Sequence, residues 1–79
     1  MAEASKIKII VGGKYCFRSL GLVLEIEVVE ITKPNIECKA RFTRIVNSDG
    51  ARFQVLEAVS PLIGDGMLYP IQFSEIKPL

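Results

Sequence analysis

A strict alternation of apolar and charged residues in the middle of the chain limits the folds open to it. Residues 36–42 read IECKARF, and charged side chains separate the apolar ones, which are Ile36, Cys38, Ala40 and Phe42. Successive side chains of a β-strand point to opposite faces of a sheet, so a half-buried strand turns this pattern into one apolar and one polar face. The stretch therefore predicts a strand and an all-β fold.

The preceding segment, LVLEIEVVEI at residues 22–31, carries the same alternation with one slip. Leu24 and Ile26 share a face, but Val28 and Val29 are adjacent and Ile31 continues the phase of Val29. One extra residue in a strand resets which face the following residues occupy. We therefore predict a β-bulge at Val28 or Val29.

The sequence TKPN at residues 32–35 predicts a hairpin turn between these two strands, because Pro34 and Asn35 suit a turn. If Ile31 is paired with Ile36, apolar residues oppose apolar ones along both strands, once the bulge is included. The same register gives two charge pairs on the polar face, which are Glu27 with Lys39 and Glu25 with Arg41.

The flanking segments complete a predicted set of five strands. Residues 6–19 read as a strand broken at two glycines, and NSDG at residues 47–50 predicts a turn into a fourth strand at residues 51–59, with Phe53 and Val55 facing inward. The last segment, YPIQFSEIKPL, is predicted to close the fold: a short turn after Phe73 returns Ile76 to the interior, Phe73 is deeply buried, and Leu79 covers one end.

Five short strands must curl to hide one apolar face, so the sequence predicts a small five-stranded barrel. With GGKY entering the first strand, a long bulged second strand, a charged meander, and PIQF running into EIKPL, the chain resembles the small SH3-like barrels. The resemblance implies topology and not activity. An OB-like barrel is the alternative. We expect a single domain over residues 1–79, with residues 1–5 flexible.

Composition indicates a partner and argues against several function classes. Hydrophobic residues make up 49% of the 79 residues, more than one small core readily hides, which favours a protein partner or self-association. The net charge of +1 predicts no strong attraction to nucleic acid or to a membrane surface. No signal peptide or membrane span is recognised, so we expect a cytoplasmic protein whose two cysteines, Cys16 and Cys38, are reduced and unbridged.

The residues that enzymes use for chemistry are sparse. The chain has no histidine, and alternation along strands already explains its glutamates as solvated cross-strand partners. GDG at residues 64–66 has too few acidic neighbours for a calcium loop. We therefore expect no catalysis, no metal, no cofactor and no small-molecule substrate, and a role as an adaptor, an accessory subunit or a small inhibitor of the kind that mobile elements encode.

Two binding sites are predicted as alternatives. The loop SPLIGDGMLYP carries four large aliphatic side chains, which either pack on the barrel or meet a partner, and by the resemblance exposed aromatics lie beside it. The predicted protein-binding residues are Tyr15, Leu62, Ile63, Met67 and Tyr69. In the alternative function, a nucleic acid binds basic residues of the third and fourth strands, which are Lys39, Arg41, Arg44 and Arg52.

Overall fold

A computed structural model of the chain describes residues 8–48, 50 and 53–79. Within these residues five strands form one sheet: β1 (Lys14–Ser19), β2 (Leu22–Lys33), β3 (Glu37–Asn47), β4 (Tyr69–Gln72) and β5 (Ile76–Lys77). One α-helix, α1 (Phe53–Val59), lies between β3 and β4. The strand order is β4-β3-β2-β1-β5, all neighbours are antiparallel, and the sheet is curled into a half-barrel. The prediction of a small all-β barrel is therefore confirmed in part, because the fold is mostly β with five strands but contains one short helix and a half-barrel.

The β2–β3 hairpin contains the predicted bulge but not the predicted register. Pairing shifts between Val28 and Glu30, which leaves Val29 as the extra residue and confirms a bulge at this point. Beyond it, Ile31 pairs with Cys38 and not with Ile36. The predicted charge pairs are wrong as well: Glu27 pairs with Arg41, two residues beyond the predicted Lys39, and Glu25 pairs with Arg44, three residues beyond the predicted Arg41, because a second register shift lies between Glu25 and Ile26. Lys39 lies opposite Glu30.

The turn explains why the register differs. The Ile36 N–H donates to the Lys33 carbonyl at 2.9 Å, and Asn35 has a φ of 64°. Proline fixes the φ that the first central position of such a turn needs, and asparagine tolerates a positive φ at the second. The turn is therefore centred on Pro34 and Asn35, β2 runs on to Lys33, and Ile36 becomes an exposed turn residue.

The core covers the concave, inner face of the half-barrel. Its buried apolar residues come from β2, β3, β4 and β5 and from the segment before β1. They are Ile9, Leu22, Leu24, Ile26, Val28, Cys38, Ala40, Phe42, Ile71 and Ile76. From β1, Tyr15 and Phe17 pack against this core as half-buried side chains. The bulge at Val29 keeps the apolar side chains of β2 facing the core, since Val28 before it and Ile31 after it both face inward.

Residues 53–59 form α1 and not the predicted fourth strand. Val55, Leu56 and Val59 pack against the core, and this spacing gives one face of a helix. Phe53, predicted to face inward, is 70% exposed. A short apolar segment satisfies both periods for a few residues, which is why the alternation of Phe53 and Val55 was misleading.

The C-terminal segment supplies the two edge strands of the half-barrel, with the predicted turn between them. β4 pairs with β3, a 3₁₀ turn follows at Phe73–Glu75, and β5 pairs with β1 at Cys16 and Phe17, with Ile76 buried. Two details are wrong. Phe73 is only half-buried because it begins the turn and leaves the phase of the strand, and Leu79 is exposed because it lies beyond the last paired residue, Lys77.

Two expectations concern positions outside the described residues, namely the flexibility of residues 1–5 and the contribution of Arg52. Over the part of the chain that the structure describes, no helix is long and apolar enough to cross a membrane.

Candidate functional site

The loop at residues 64–68 joins the helical segment to β4 and is attached to the edge of β3. The Gly64 N–H donates to the Phe42 carbonyl at 3.1 Å. Gly64 and Gly66 have φ values of 75° and 80°, a conformation that side chains other than glycine rarely adopt. The two glycines therefore give the backbone of the loop a defined path. We call residues 64–68 the Met67 loop.

Asp65 organises the Met67 loop through its carboxylate. One carboxylate oxygen accepts a hydrogen bond of 2.7 Å from the Met67 N–H, and the other accepts one of 2.9 Å from the Tyr69 hydroxyl. The bond to Asp65 is also the main cause that raises the pKa of Tyr69 above its ordinary value. The Tyr69 ring packs on Phe42, with 5.2 Å between ring centroids, so Asp65 links the loop to the core.

The four aliphatic side chains of this region divide into two pairs. Leu62 and Ile63 are half-buried and pack against the core, where Leu62 ends a 3₁₀ turn at Ser60–Leu62 and Ile63 follows it. Met67 and Leu68 are exposed, Met67 to 59%. The first pair therefore packs on the half-barrel, and the second pair presents apolar surface to solvent. Binding of a partner by this second pair stays a prediction.

Tyr15, the remaining predicted protein-binding residue, lies on β1 and not in the Met67 loop. Its hydroxyl donates to the Lys8 carbonyl at 3.0 Å and accepts from the Ile10 N–H at 2.9 Å. Tyr15 therefore holds the segment before β1 in place, which helps to bury Ile9. Tyr15 remains a predicted binding residue, but its hydroxyl is already used within the chain.

Three basic residues of the alternative site are described by the structure, namely Lys39, Arg41 and Arg44, and they lie on the outer face of the sheet opposite acidic residues. Arg41 donates to one Glu27 oxygen through two nitrogens, at 2.7 and 3.0 Å, and the Arg44 Nε donates to Glu25 at 2.6 Å. Lys39 is exposed and lies opposite Glu30 in the register. Glutamates on β2 thus neutralise the arginines of β3.

Sequence reasoning missed the role of Asp65, although a signal for it was present. Aspartate side chains bond the backbone N–H two residues further on, and GDG places Asp65 between two turn-forming glycines. It also missed that Glu25 would be buried. A strand pattern shows that Glu25 faces outward, but not that Thr43 and Arg44 cover it.

The two cysteines lie on opposite faces of the sheet. Cys16 of β1 faces outward beside Glu25 and Lys77, whereas Cys38 of β3 is buried in the core, with β2 between them. Both are free thiols. Among residues 8–48, 50 and 53–79, no group of three or more cysteine, aspartate and glutamate side chains could hold a metal ion.

Comparison of the chain with protein-family models, with curated proteins and with solved structures finds no match. The case for a function therefore depends on the site geometry alone.

Proposed function

We propose that this chain is a non-catalytic binding module that recognises a protein partner through the Met67 loop. The observation that carries the proposal is that Met67 and Leu68 are held outward by Asp65, which fixes the loop from within. A loop that is ordered before binding loses little conformational entropy when a partner docks. Flexible, polarizable methionine side chains suit apolar protein surfaces.

The distribution of aromatic rings and charges favours a protein over a nucleic acid. Base stacking needs exposed aromatic rings, yet Phe17, Phe42 and Tyr69 form a chain of ring contacts on the inner face, and Phe53 on α1 is the one aromatic side chain classed as exposed among the described residues. Arg41 and Arg44 would have to leave glutamate partners to bind phosphate. Nucleic-acid binding, with Lys39 and Arg52 as further contacts, is the alternative that the experiment below separates.

We also assign the half-barrel to the SH3-like class. The strands β1 to β4 are neighbours in chain order, β5 returns to β1, and a 3₁₀ turn separates β4 from β5. The helix before β4 is a feature of the OB-like alternative, but the OB-fold is a Greek-key barrel, whereas β1 to β4 form a continuous meander. The assignment supports a binding role by analogy of fold, which is weaker than the argument from the loop.

The experiment compares two aspartate variants at matched exposure. Met67→Asp alters the loop, and Leu79→Asp alters another aliphatic residue that is also 59% exposed. Each protein is immobilised and incubated with native lysate, with and without nuclease, and captured proteins are quantified by mass spectrometry. Sedimentation velocity measures self-association, and circular dichroism checks the fold.

We expect Met67→Asp to lose a captured partner or to lose self-association, and to keep the parent's melting curve. We expect Leu79→Asp to bind as the parent does. Equal capture by all three proteins would refute the Met67 loop as the site. Capture that disappears with nuclease, and that weakens steeply with salt, would instead establish the nucleic-acid function.

A second variant tests whether the ordering of the loop matters. Asp65→Ala removes both hydrogen bonds and leaves Met67 and Leu68 in place. We expect weaker partner binding with loss of hydrogen-exchange protection at the Met67 amide. Binding that stays at the parental affinity while this protection is lost would show that the loop need not be preformed.

A further inference from the structure

A separate cleft opens at the end of the sheet, where the β1–β2 turn meets the last residue of β3. Its volume is about 280 Å³. The residues that line it include Arg18, Val23 and Asn47. These three form one row across β1, β2 and β3, since Arg18 pairs with Val23 and Val23 pairs with Asn47. Neighbouring strands lie about 4.8 Å apart, so the row places a guanidinium, an apolar side chain and an amide on consecutive strands.

Arg18 differs from Arg41 and Arg44 because it has no acidic partner among the described residues. On β2 the residues opposite Cys16 and Lys14 are Glu25 and Glu27, but the residue opposite Arg18 is Val23. Among the described residues that line the cleft, none carries a carboxylate. Over residues 8–48, 50 and 53–79, Arg18 makes no salt bridge and no side-chain hydrogen bond. The guanidinium is thus available for an anion from outside the chain.

Leu20 forms the tip of the turn beside Arg18 and is unfavourable for folding in two ways. Its φ is 50°, and with Gly21 at 85° it occupies the first central position of a two-residue turn that prefers asparagine or glycine there. A branched side chain is strained in this conformation, because its Cβ lies too close to the following carbonyl oxygen. Leu20 is also 75% exposed, so contacts within the chain offset little of this. Strain that folding does not require is a pointer to function.

From these features we propose that the cleft binds a carboxylate that carries an apolar group. Arginine donates two parallel hydrogen bonds to a carboxylate, and the missing acidic partner on β2 leaves this position open. Leu20 and Val23 supply apolar walls for the substituent. One cation with apolar neighbours matches a single negative charge better than it matches a phosphate. A free carboxylic acid and the C-terminal residue of a peptide share this chemistry.

The test is a titration of the ¹⁵N-labelled chain followed by heteronuclear NMR. The probes are N-acetyl-leucine, its uncharged amide N-acetyl-leucinamide, and a short peptide that ends in leucine with a free carboxylate. We expect shifts confined to residues 18–23 and Asn47, with a Kd on the order of 1 mM for so small an acid. The amide should bind about tenfold or more weakly, because it lacks the charge. Tighter binding of the peptide would identify a chain terminus as the ligand, and equal binding a free acid.

Three variants make the result specific. Arg18→Gln should weaken binding of N-acetyl-leucine about tenfold or more, and Arg18→Lys should fall between it and the parent because lysine lacks the planar fork. Lys77→Gln removes an exposed cation elsewhere on the outer face and should leave the affinity unchanged. No shifts up to the solubility limit of the acid, equal shifts with acid and amide, or full affinity in Arg18→Gln would each overturn the proposal.

Leu20→Asn separates the demands of folding from those of binding. Asparagine before glycine suits this turn, so the variant should melt at a higher temperature than the parent and bind the acid more weakly. A lower melting temperature would refute the strain, and a raised melting temperature with unchanged affinity would refute Leu20 as a wall of the site.

Discussion

Glu25 and Arg44 face each other across β2 and β3, and the Arg44 Nε donates a 2.6 Å hydrogen bond to the Glu25 carboxylate. The Glu25 side chain is 7% exposed although it lies on the outer face of the sheet. The Thr43 hydroxyl bonds the second carboxylate oxygen at 2.9 Å, and the Lys14 Nζ lies 3.8 Å from it. Glu25 thus connects the three central strands on the side away from the core.

Glu25→Gln should destabilise the fold by about 1–3 kcal/mol, because it removes a buried charge that Thr43 and Arg44 hydrogen-bond. The matched control is Glu27→Gln on the same strand. Glu27 is less buried and bonds only Arg41, so its loss should cost about 1 kcal/mol or less. Urea unfolding of both variants measures the difference. Equal effects would show that the burial of Glu25 adds nothing.

Acid should reveal the same group through the pH dependence of stability. The hydrogen bond from Thr43 lowers the pKa of Glu25, burial opposes this, and Arg44 and Lys14 lower the pKa further. The folded pKa is therefore below the unfolded one, so the stabilisation is complete above the ordinary glutamate pKa of about 4.3 and is lost as the pH falls through the folded value. We expect the stability gap between the parent and Glu25→Gln to be constant from neutral pH to about 5 and to shrink below that. A gap that does not change on acidification would contradict this.

Side-chain periodicity predicted β2 and β3 well and the register between them less well. Alternation decides which face a residue occupies, so the inward positions Leu24, Ile26 and Cys38 follow from the sequence. A shift of two residues preserves every face, however, and therefore leaves the apolar pattern equally satisfied. Only the turn geometry at Pro34 and Asn35 distinguishes the two registers.

Residue 58 tests the assignment of residues 53–59 as a helix. Ala58 is exposed on α1, where glycine should cost about 1 kcal/mol and threonine should cost several tenths. In a strand, threonine would be favourable at the same position. Thermal melts of Ala58→Gly and Ala58→Thr, compared with the parent, decide the matter. A stabilising Ala58→Thr would indicate the strand.

The sequence predicted where the candidate site lies in the chain, but not which of its side chains are exposed. The aliphatic content of residues 62–68 marked the loop, but which side chains pack depends on where α1 and the edge of β3 bring it. Gly64 meets Phe42, more than 20 positions earlier in the chain, and that contact turns Leu62 and Ile63 toward the core. Such long-range contacts leave no periodic signal.

The two thiols should differ in reactivity. Burial in the core raises the pKa of Cys38, and its Sγ is 3.6 Å from the Ile71 carbonyl, so it remains a protonated, protected thiol. Cys16 is half-buried on the outer face. We expect a disulfide reagent to modify one thiol in the native protein and the second only on unfolding, without prior reduction. Simultaneous modification of both would place Cys38 outside a stable core.

The closing role of the C-terminal segment rests on one residue more than on its neighbours. Ile76 of β5 is 5% exposed and pairs with Phe17 of β1, whereas Leu79, three positions later, is 59% exposed. Ile76→Ala should therefore cost about 2–5 kcal/mol, a large part of the stability of so small a domain, and Leu79→Ala should change stability by less than about 0.5 kcal/mol. Without β5 the edge of β1 would be unpaired, so hydrogen exchange at Cys16 and Phe17 should accelerate in Ile76→Ala before the rest of the sheet. If Ile76→Ala has the same melting temperature as the parent, or if hydrogen exchange accelerates uniformly over the sheet, β5 does not stabilise the edge of β1 and the segment is a tail.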